Sequence, residues 1–264
     1  MPYPVLSTAR QADTAKLNRF LASLPARDLS LLAPHLRTVP LERGAVLHDA
    51  GDEMEYVYFP HTGMVSIVAV MRNGAMVETA TIGRSGVVGA TAGLGSRCAV
   101  GRAVVQIPGE AARLSCSLFQ SAARESNPIR DLLVGYNDLV LAEIQQSVAC
   151  NALHYLEARL CRWLLHTRDC VEADAIPLTQ ELLGQMLGVR RTTLTVVARL
   201  LQSAGMIRYR RGLIHIVDRA KLEENACECY GLVKRQVERL FPVTSRPAGG
   251  AAPLSSARSV LEQT

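Results

Sequence analysis

The sequence predicts an α+β protein. An N-terminal double-stranded β-roll of the jelly-roll type is joined by a long central helix to a C-terminal winged helix-turn-helix. Three observations carry this prediction. Eleven of the 19 glycines fall between Gly44 and Gly109, where they separate short β-rich runs. From Ile129 to Val148 apolar residues recur at intervals of three and four, and no proline interrupts residues 129–176. From Leu178 to Ile216 the glycines and apolar positions have the spacing of two crossing helices followed by a strand pair.

The β-roll with its helical lead-in is assigned to residues 15–125. The lead-in places Leu17, Phe20, Leu21 and Leu24, then Leu29, Leu31, Leu32 and Leu36, at roughly helical spacing broken by Pro25 and Pro34. Strands are expected at Glu55–Phe59, Met64–Met71, Met76–Ile82 and Ala103–Ile107. The turns between them fall at Gly51-Asp52, Gly63, Asn73-Gly74, Gly83 and Pro108-Gly109. Such dense turns suit a barrel or double-sheet jelly roll better than an α/β fold.

The central helix is assigned to 126–153. Its stripe includes Leu132, Leu133, Tyr136, Leu139, Val140 and Ile144, and these six residues are the expected dimer interface. The same stripe could instead lie on its own β-roll, and the periodicity leaves both open.

Residues 154–242 are assigned to the winged helix-turn-helix. A first helix from about Gln180 to Leu187 buries Leu183 and Leu187, and Gly184 leaves room for the second helix to cross closely. Gly188 supplies the turn, Val189 covers the corner, and the second helix buries Leu194, Val197 and Leu201. Met206 to Ile216 then reads as two short strands around Arg211-Gly212, a β-wing. Between Arg190 and Arg219 there are seven arginines against one acid, Asp218. A local charge of that kind faces phosphate. The expected DNA contacts are Arg190, Arg191, Thr192, Thr193 and Thr195 at the start of the second helix, with Arg199 further along it. Thr179 and Gln180 join them from the first helix, and Arg208, Arg210 and Arg211 from the wing. Residues 243–264, rich in Pro, Gly, Ala and Ser without periodicity, are expected to be a disordered tail.

Composition narrows the alternatives. The chain has 264 residues, is 48% hydrophobic and carries a net charge of +5. It contains no run of about 18 apolar residues and no signal-peptide layout, so no membrane partner is expected and the cytoplasm is the default compartment. Its seven cysteines include no CxxC pair, which argues against a disulfide framework or a zinc ribbon. Cys227 and Cys229 are the closest pair. One intervening residue strains a disulfide, so they read as ordinary thiols, with a redox-responsive regulator as the alternative. A cupin-like metal enzyme would need a His-x-His pair, and the β region offers only His48 and His61, thirteen apart. Gly-x-Ser-x-Gly, P-loop and HExxH motifs are likewise missing, so no enzymatic activity, metal or cofactor is expected.

On these residues the chain resembles the CRP/FNR superfamily of bacterial regulators from about Leu17 to Asp218. The likeness covers the lead-in, the β-roll opening Val39-Pro40-Leu41-Glu42-Arg43-Gly44, the central helix and the module from Thr179 to Ile216. The resemblance implies a cyclic-nucleotide-binding-like jelly roll and a homodimer on double-stranded DNA, with a small-molecule effector and RNA polymerase as candidate further partners. Three departures matter. Where cyclic-nucleotide-binding members carry Gly-Glu and then Arg-Ser or Arg-Thr, this chain reads Gly89-Ala90-Thr91-Ala92-Gly93 and then Gly101-Arg102-Ala103. The expected effector is therefore not cyclic AMP, and Arg84, Ser85 and Arg102 are the polar candidates to hold another ligand. No cysteine precedes Cys98, so the N-terminal cluster of iron-sulfur members is not matched. Where many members show Arg-Glu-Thr followed three residues on by Arg, this chain has Arg191-Thr192-Thr193 and then Val196. The operator is thus expected to differ from that of the catabolite activators.

Overall fold

The computed structural model describes residues 17–242. The expected tail at 243–264 and the first two residues of the assigned β-roll domain lie outside the described residues.

The lead-in forms α1 (Arg19–Ala22), α2 (Ala26–Leu32) and a 3-10 turn over Ala33–His35, so both prolines mark helix boundaries. Asn18 caps α1 by accepting from the Leu21 backbone N–H at 3.2 Å, while its amide donates to the carbonyls of Pro60 and Gly86 at 3.0 Å each. This fully buried side chain therefore has partners for both donors and its acceptor, as burial of an amide requires.

The β-roll consists of β1 (Arg37–Leu41), β2 (Val46–His48), β3 (Tyr56–Pro60), β4 (Met64–Val70), β5 (Met76–Ile82), β6 (Arg102–Ile107) and β7 (Gly109–Ser115). They form two antiparallel sheets, β1-β7-β3 and β2-β6-β4-β5. Pro40 is tolerated because β1 is an edge strand whose one neighbour is β7. The sequence reading places no separate strand on β1, β2 or β7. Gly109 to Ser115 lacks β-branched residues, and its strand is dictated by pairing with both β1 and β3.

Ser115 caps α3 (Cys116–Glu125) and Ser126 caps α4 (Asn127–Leu153), the 27-residue central helix with Pro128 in its first turn. The sheet β1-β7-β3, the lead-in and α4 enclose an aromatic core. There Phe20 is fully buried, with Phe59, Phe119, Tyr136 and Phe241 at 5.9–6.5 Å between ring centroids. Truncating Phe20 to Ala is expected to cost about 3–5 kcal/mol.

The C-terminal module follows as α5 (Leu156–Val171), β8 (Ala175–Pro177), α6 (Gln180–Leu187), α7 (Arg191–Ser203), β9 (Ile207–Arg210), β10 (Leu213–Ile216) and α8 (Arg219–Asn225). It rests on the four-stranded sheet: Met64, Val68 and Ile107 share one core with Leu160, Trp163, Met186 and Leu194. The indole N–H of Trp163 donates to Glu78 of β5 at 2.7 Å, and Arg43 donates to the Pro177 carbonyl at 2.9 Å. The last helix, α9 (Cys229–Leu240), leaves the module and returns to α4, so that Phe241 enters the aromatic core.

Candidate nucleic-acid interface and the junction behind it

Helices α6 and α7 meet at Gly188, whose φ of 66° lies in the left-handed region that glycine adopts at little cost. A Cβ on Gly184 would lie 3.0 Å from the Val189 carbonyl oxygen, so the glycine relieves a tight approach of the turn to α6. Thr179 caps α6 by accepting from the Leu182 N–H at 3.3 Å. Arg190 occupies the cap position of α7 without any side-chain capping bond, which leaves its guanidinium free to reach outward. Leu194, Val197, Ala198 and Leu201 are buried, whereas Arg191, Thr192, Thr193, Val196 and Arg199 are exposed.

A chain of contacts ties the predicted binding residues into one surface. The Thr195 hydroxyl lies 2.9 Å from the Gln180 side-chain oxygen and 2.8 Å from the Arg191 carbonyl, linking α7 to α6. The Gln180 N–H donates to the Tyr209 hydroxyl, and the Tyr209 N–H donates to Gln202, which fixes β9 against both helices. At the wing tip a Cβ on Gly212 would lie 3.8 Å from the Thr179 methyl carbon. Arg208, Arg210 and Arg211 line one concavity with Leu213 and His215. The tip is a two-residue turn with Arg211 at φ 48° and Gly212 at φ 75°. An arginine in the left-handed region is unusual, and the conformation costs about 1–2 kcal/mol. Among the described residues, none of Arg190, Arg191, Arg199, Arg208, Arg210 and Arg211 is paired with a carboxylate.

The three effector candidates do not converge. Arg102 makes a bidentate pair with Asp49 at the surface, with its shortest N···O distance at 2.6 Å. Arg84 pairs with Glu172, just past the end of α5. Ser85 alone lines a cavity of about 200 Å³ where β5, α4, α5 and α9 meet. The stretch in the place of the phosphate-holding Gly-Glu pair is a 3-10 turn, Ala90–Leu94, whose Ala90, Ala92 and Gly93 are buried.

Glu143, Arg162, His166, Asp169 and Tyr136 also line that cavity. Burial raises the Glu143 carboxyl to about 8 against one hydrogen bond from the Thr81 N–H, so it is protonated at neutral pH. Burial and the Arg162 charge lower His166 to about 4. The 3.7 Å approach of His166 to Glu143 is therefore a contact between neutral groups rather than an ion pair at neutral pH.

The expected dimer stripe is divided between the chain's own core and its surface. Leu133, Tyr136 and Leu139 are buried in the chain's own aromatic core, and Leu132 and Val140 pack against it. The opposite face of α4 carries Val134, Leu141 and Val148, seven apart and 47%, 54% and 65% exposed. Ile144 is half-buried between the two faces.

Sequence spacing also missed a set of side chains that the fold gathers from three places. The ligand atoms of Cys150, His154, Cys227 and Cys229 all lie within 4.8 Å of one another. Cys150 and His154 are one helical turn apart where α4 ends, and Cys227 and Cys229 flank the start of α9. A search for CxxC cannot find such a group, because its two halves are 77 residues apart. Neither His48 nor His61 belongs to it.

Comparisons with known proteins agree with this architecture. Residues 38–126 match the cyclic nucleotide-binding domain family and residues 158–225 match the Crp-like helix-turn-helix domain. FixK2 from Bradyrhizobium japonicum superposes with a TM-score of 0.63 at 16% identity, over 73% of this chain and 98% of its own. The c-di-GMP-responsive global regulator CLP of Xanthomonas campestris gives 0.59 at 18% identity, over 74% and 100%. A CRP/FNR-family transcriptional regulator from Thermus thermophilus gives 0.57 at 24% identity, over 72% and 98%. A search of curated protein sequences finds no match. None of the described helices is long and apolar enough to cross a membrane. A cyclic nucleotide-binding-type domain, a long central helix and a Crp-like helix-turn-helix in one chain make this protein a member of the CRP/FNR family of transcription regulators.

Proposed function

We propose that the chain acts as a cytoplasmic homodimer on a two-fold symmetric operator, with Arg191 reading a guanine in each half-site. The observation that carries this reading is the continuous, unpaired basic surface from the start of α7 to the wing tip. Thr192 and Thr193 stand beside Arg191 at the exposed end of the helix, where side chains reach base edges. Arg190, Arg199, Arg208, Arg210 and Arg211 hold phosphates, with Thr179, Gln180 and Thr195 fixing the register of the two helices. The left-handed Arg211 supports the wing's role, since that position favours Asn or Gly and the strained backbone keeps a guanidinium at the tip.

The second copy is assigned to the Val134, Leu141 and Val148 face, because exposed apolar side chains spaced seven apart make a stripe along one side of the helix that a second copy can cover. The effector site is assigned to the cavity lined by Ser85, which touches the sensor sheet, the central helix and the DNA-binding module at once. Arg84 and Arg102 are occupied by Glu172 and Asp49, and the Ala90–Leu94 turn offers no carboxylate for a ribose. These features support a ligand other than cyclic AMP.

Selection of bound duplexes from a randomised DNA library tests this directly. An enriched site with two inverted half-sites about one helical turn apart is expected. Enrichment of a single half-site, or none, would contradict the dimeric reading.

A further inference from the structure

The junction between the central helix and the module holds a group that DNA binding does not use. Cys150 and Cys229 are fully buried and Cys227 is 7% exposed. The sulfurs of Cys150 and Cys227 are 3.5 Å apart, and the Cys229 sulfur is 3.4 Å from Nδ1 of His154. Ligands bound tetrahedrally to zinc, with bonds of about 2.3 Å to sulfur and about 2.0 Å to nitrogen, stand about 3.5–3.8 Å from one another. The four side chains are thus preassembled to within a few tenths of an ångström along these two edges.

The surroundings match a metal site independently of those distances. Nε2 of His154, the nitrogen turned away from the sulfurs, lies 3.2 Å from the Glu228 carboxylate. A carboxylate there fixes the tautomer that leaves Nδ1 with a free lone pair, the usual support for a ligating histidine. The Gln146 amide donates to the Cys229 sulfur at 3.0 Å. Three thiolates and one divalent ion leave a net charge of −1. Arg159, buried on α5 and donating to the Leu187 carbonyl at 2.6 Å, lies close enough to Cys150 and Cys227 to offset it.

We infer that Cys150, His154, Cys227 and Cys229 form a structural Cys3His zinc site that clips the end of α4 to the start of α9. Three soft sulfurs and one imidazole select zinc over magnesium or calcium, and four protein ligands leave no position for catalysis. Binding releases the thiol protons to solvent while no electron is transferred. The clip holds the DNA-binding module at a fixed place on the central helix, because α5 departs from one side of the ligand set and α8 arrives at the other.

The probe is Co2+ added to reduced, metal-free full-length protein. About one Co2+ per chain should bind, giving the intense visible bands of a tetrahedral site and the near-ultraviolet sulfur-to-cobalt charge-transfer band, and Zn2+ should bleach both. The double variant Cys227→Ser, Cys229→Ser should lose these bands, while Cys98→Ser, in the sensor domain, should keep them. Zinc-edge X-ray absorption on the wild type needs no variant and should fit three sulfurs and one nitrogen. Reduced protein that binds no stoichiometric Co2+, or that only oxidises to a Cys150–Cys227 disulfide, would overturn the site. So would an absorption fit dominated by oxygen ligands.

Discussion

Glu143 offers a quantitative test of the junction. Its carboxyl is buried among Glu78, Arg162 and His166, accepts one backbone N–H, and is raised from 4.5 to about 8, chiefly by desolvation. Between those values the native state keeps a proton that the unfolded chain releases, so stability falls as pH rises, and the loss is complete only above about pH 8. His166, lowered from 6.5 to about 4, works in the opposite direction, mainly below pH 6.5, and its remainder above that pH is common to wild type and variant. From pH 6.5 to 8 the Glu143 contribution is therefore only slightly offset by His166, and it amounts to about 2 kcal/mol. Glu78, also raised by burial, adds to the same slope in both proteins and cancels from their difference. Glu143→Gln keeps the acceptor for Thr81 and removes the titration. Thermal unfolding of both proteins at pH 6.5 and 8 should show the wild type losing about 4–8 °C more than the variant over that interval. Equal losses would mean that Glu143 is ionised and solvated in the folded protein, and the closed junction described above would be wrong.

Three further outcomes follow from the fold. Val134→Glu with Leu141→Glu should give a folded monomer by light scattering, since both side chains are about half exposed in the single chain; a variant that stays dimeric would move the seam elsewhere. Leu133→Glu should instead destabilise the sensor domain itself by at least about 3 kcal/mol, because Leu133 is fully buried and its methyl would lie 2.6 Å from a Cβ on Gly93; native-like unfolding would contradict this assignment of faces. Cyclic AMP at millimolar concentration should give no saturable heat in calorimetry and no change in DNA affinity, and tight binding would overturn the reading of Ala90 and Arg102.

What the sequence made legible was local, and what it concealed was distant. The helix-turn-helix is readable because Gly184, Gly188, Val189, Leu194 and Val197 form one short pattern with a single geometric meaning. The strand at Gly109–Ser115 is not, because its pairing partners lie far along the chain. The central helix was legible as a helix, but it is apolar on two faces. Periodicity alone cannot say that Leu133 faces inward while Val134 faces out. The polar effector candidates were chosen for their loop positions, and only the folded chain reveals that Asp49 and Glu172 already occupy Arg102 and Arg84. Cys150 and Cys227 are brought together by the return of α9 to α4, which no pattern in the sequence announces.

The most direct test of the proposed function compares Arg191→Ala with Arg210→Ala on the selected operator and on its single-base variants across a salt series. Arg191→Ala should lose about 1–3 kcal/mol on the operator and relax discrimination at one base pair per half-site. Arg210→Ala should weaken every duplex alike and reduce the salt slope by about one phosphate contact. If Arg191→Ala instead lowers affinity uniformly while Arg210→Ala changes base preference, α7 is not the reading helix and the assignment of helix and wing is reversed.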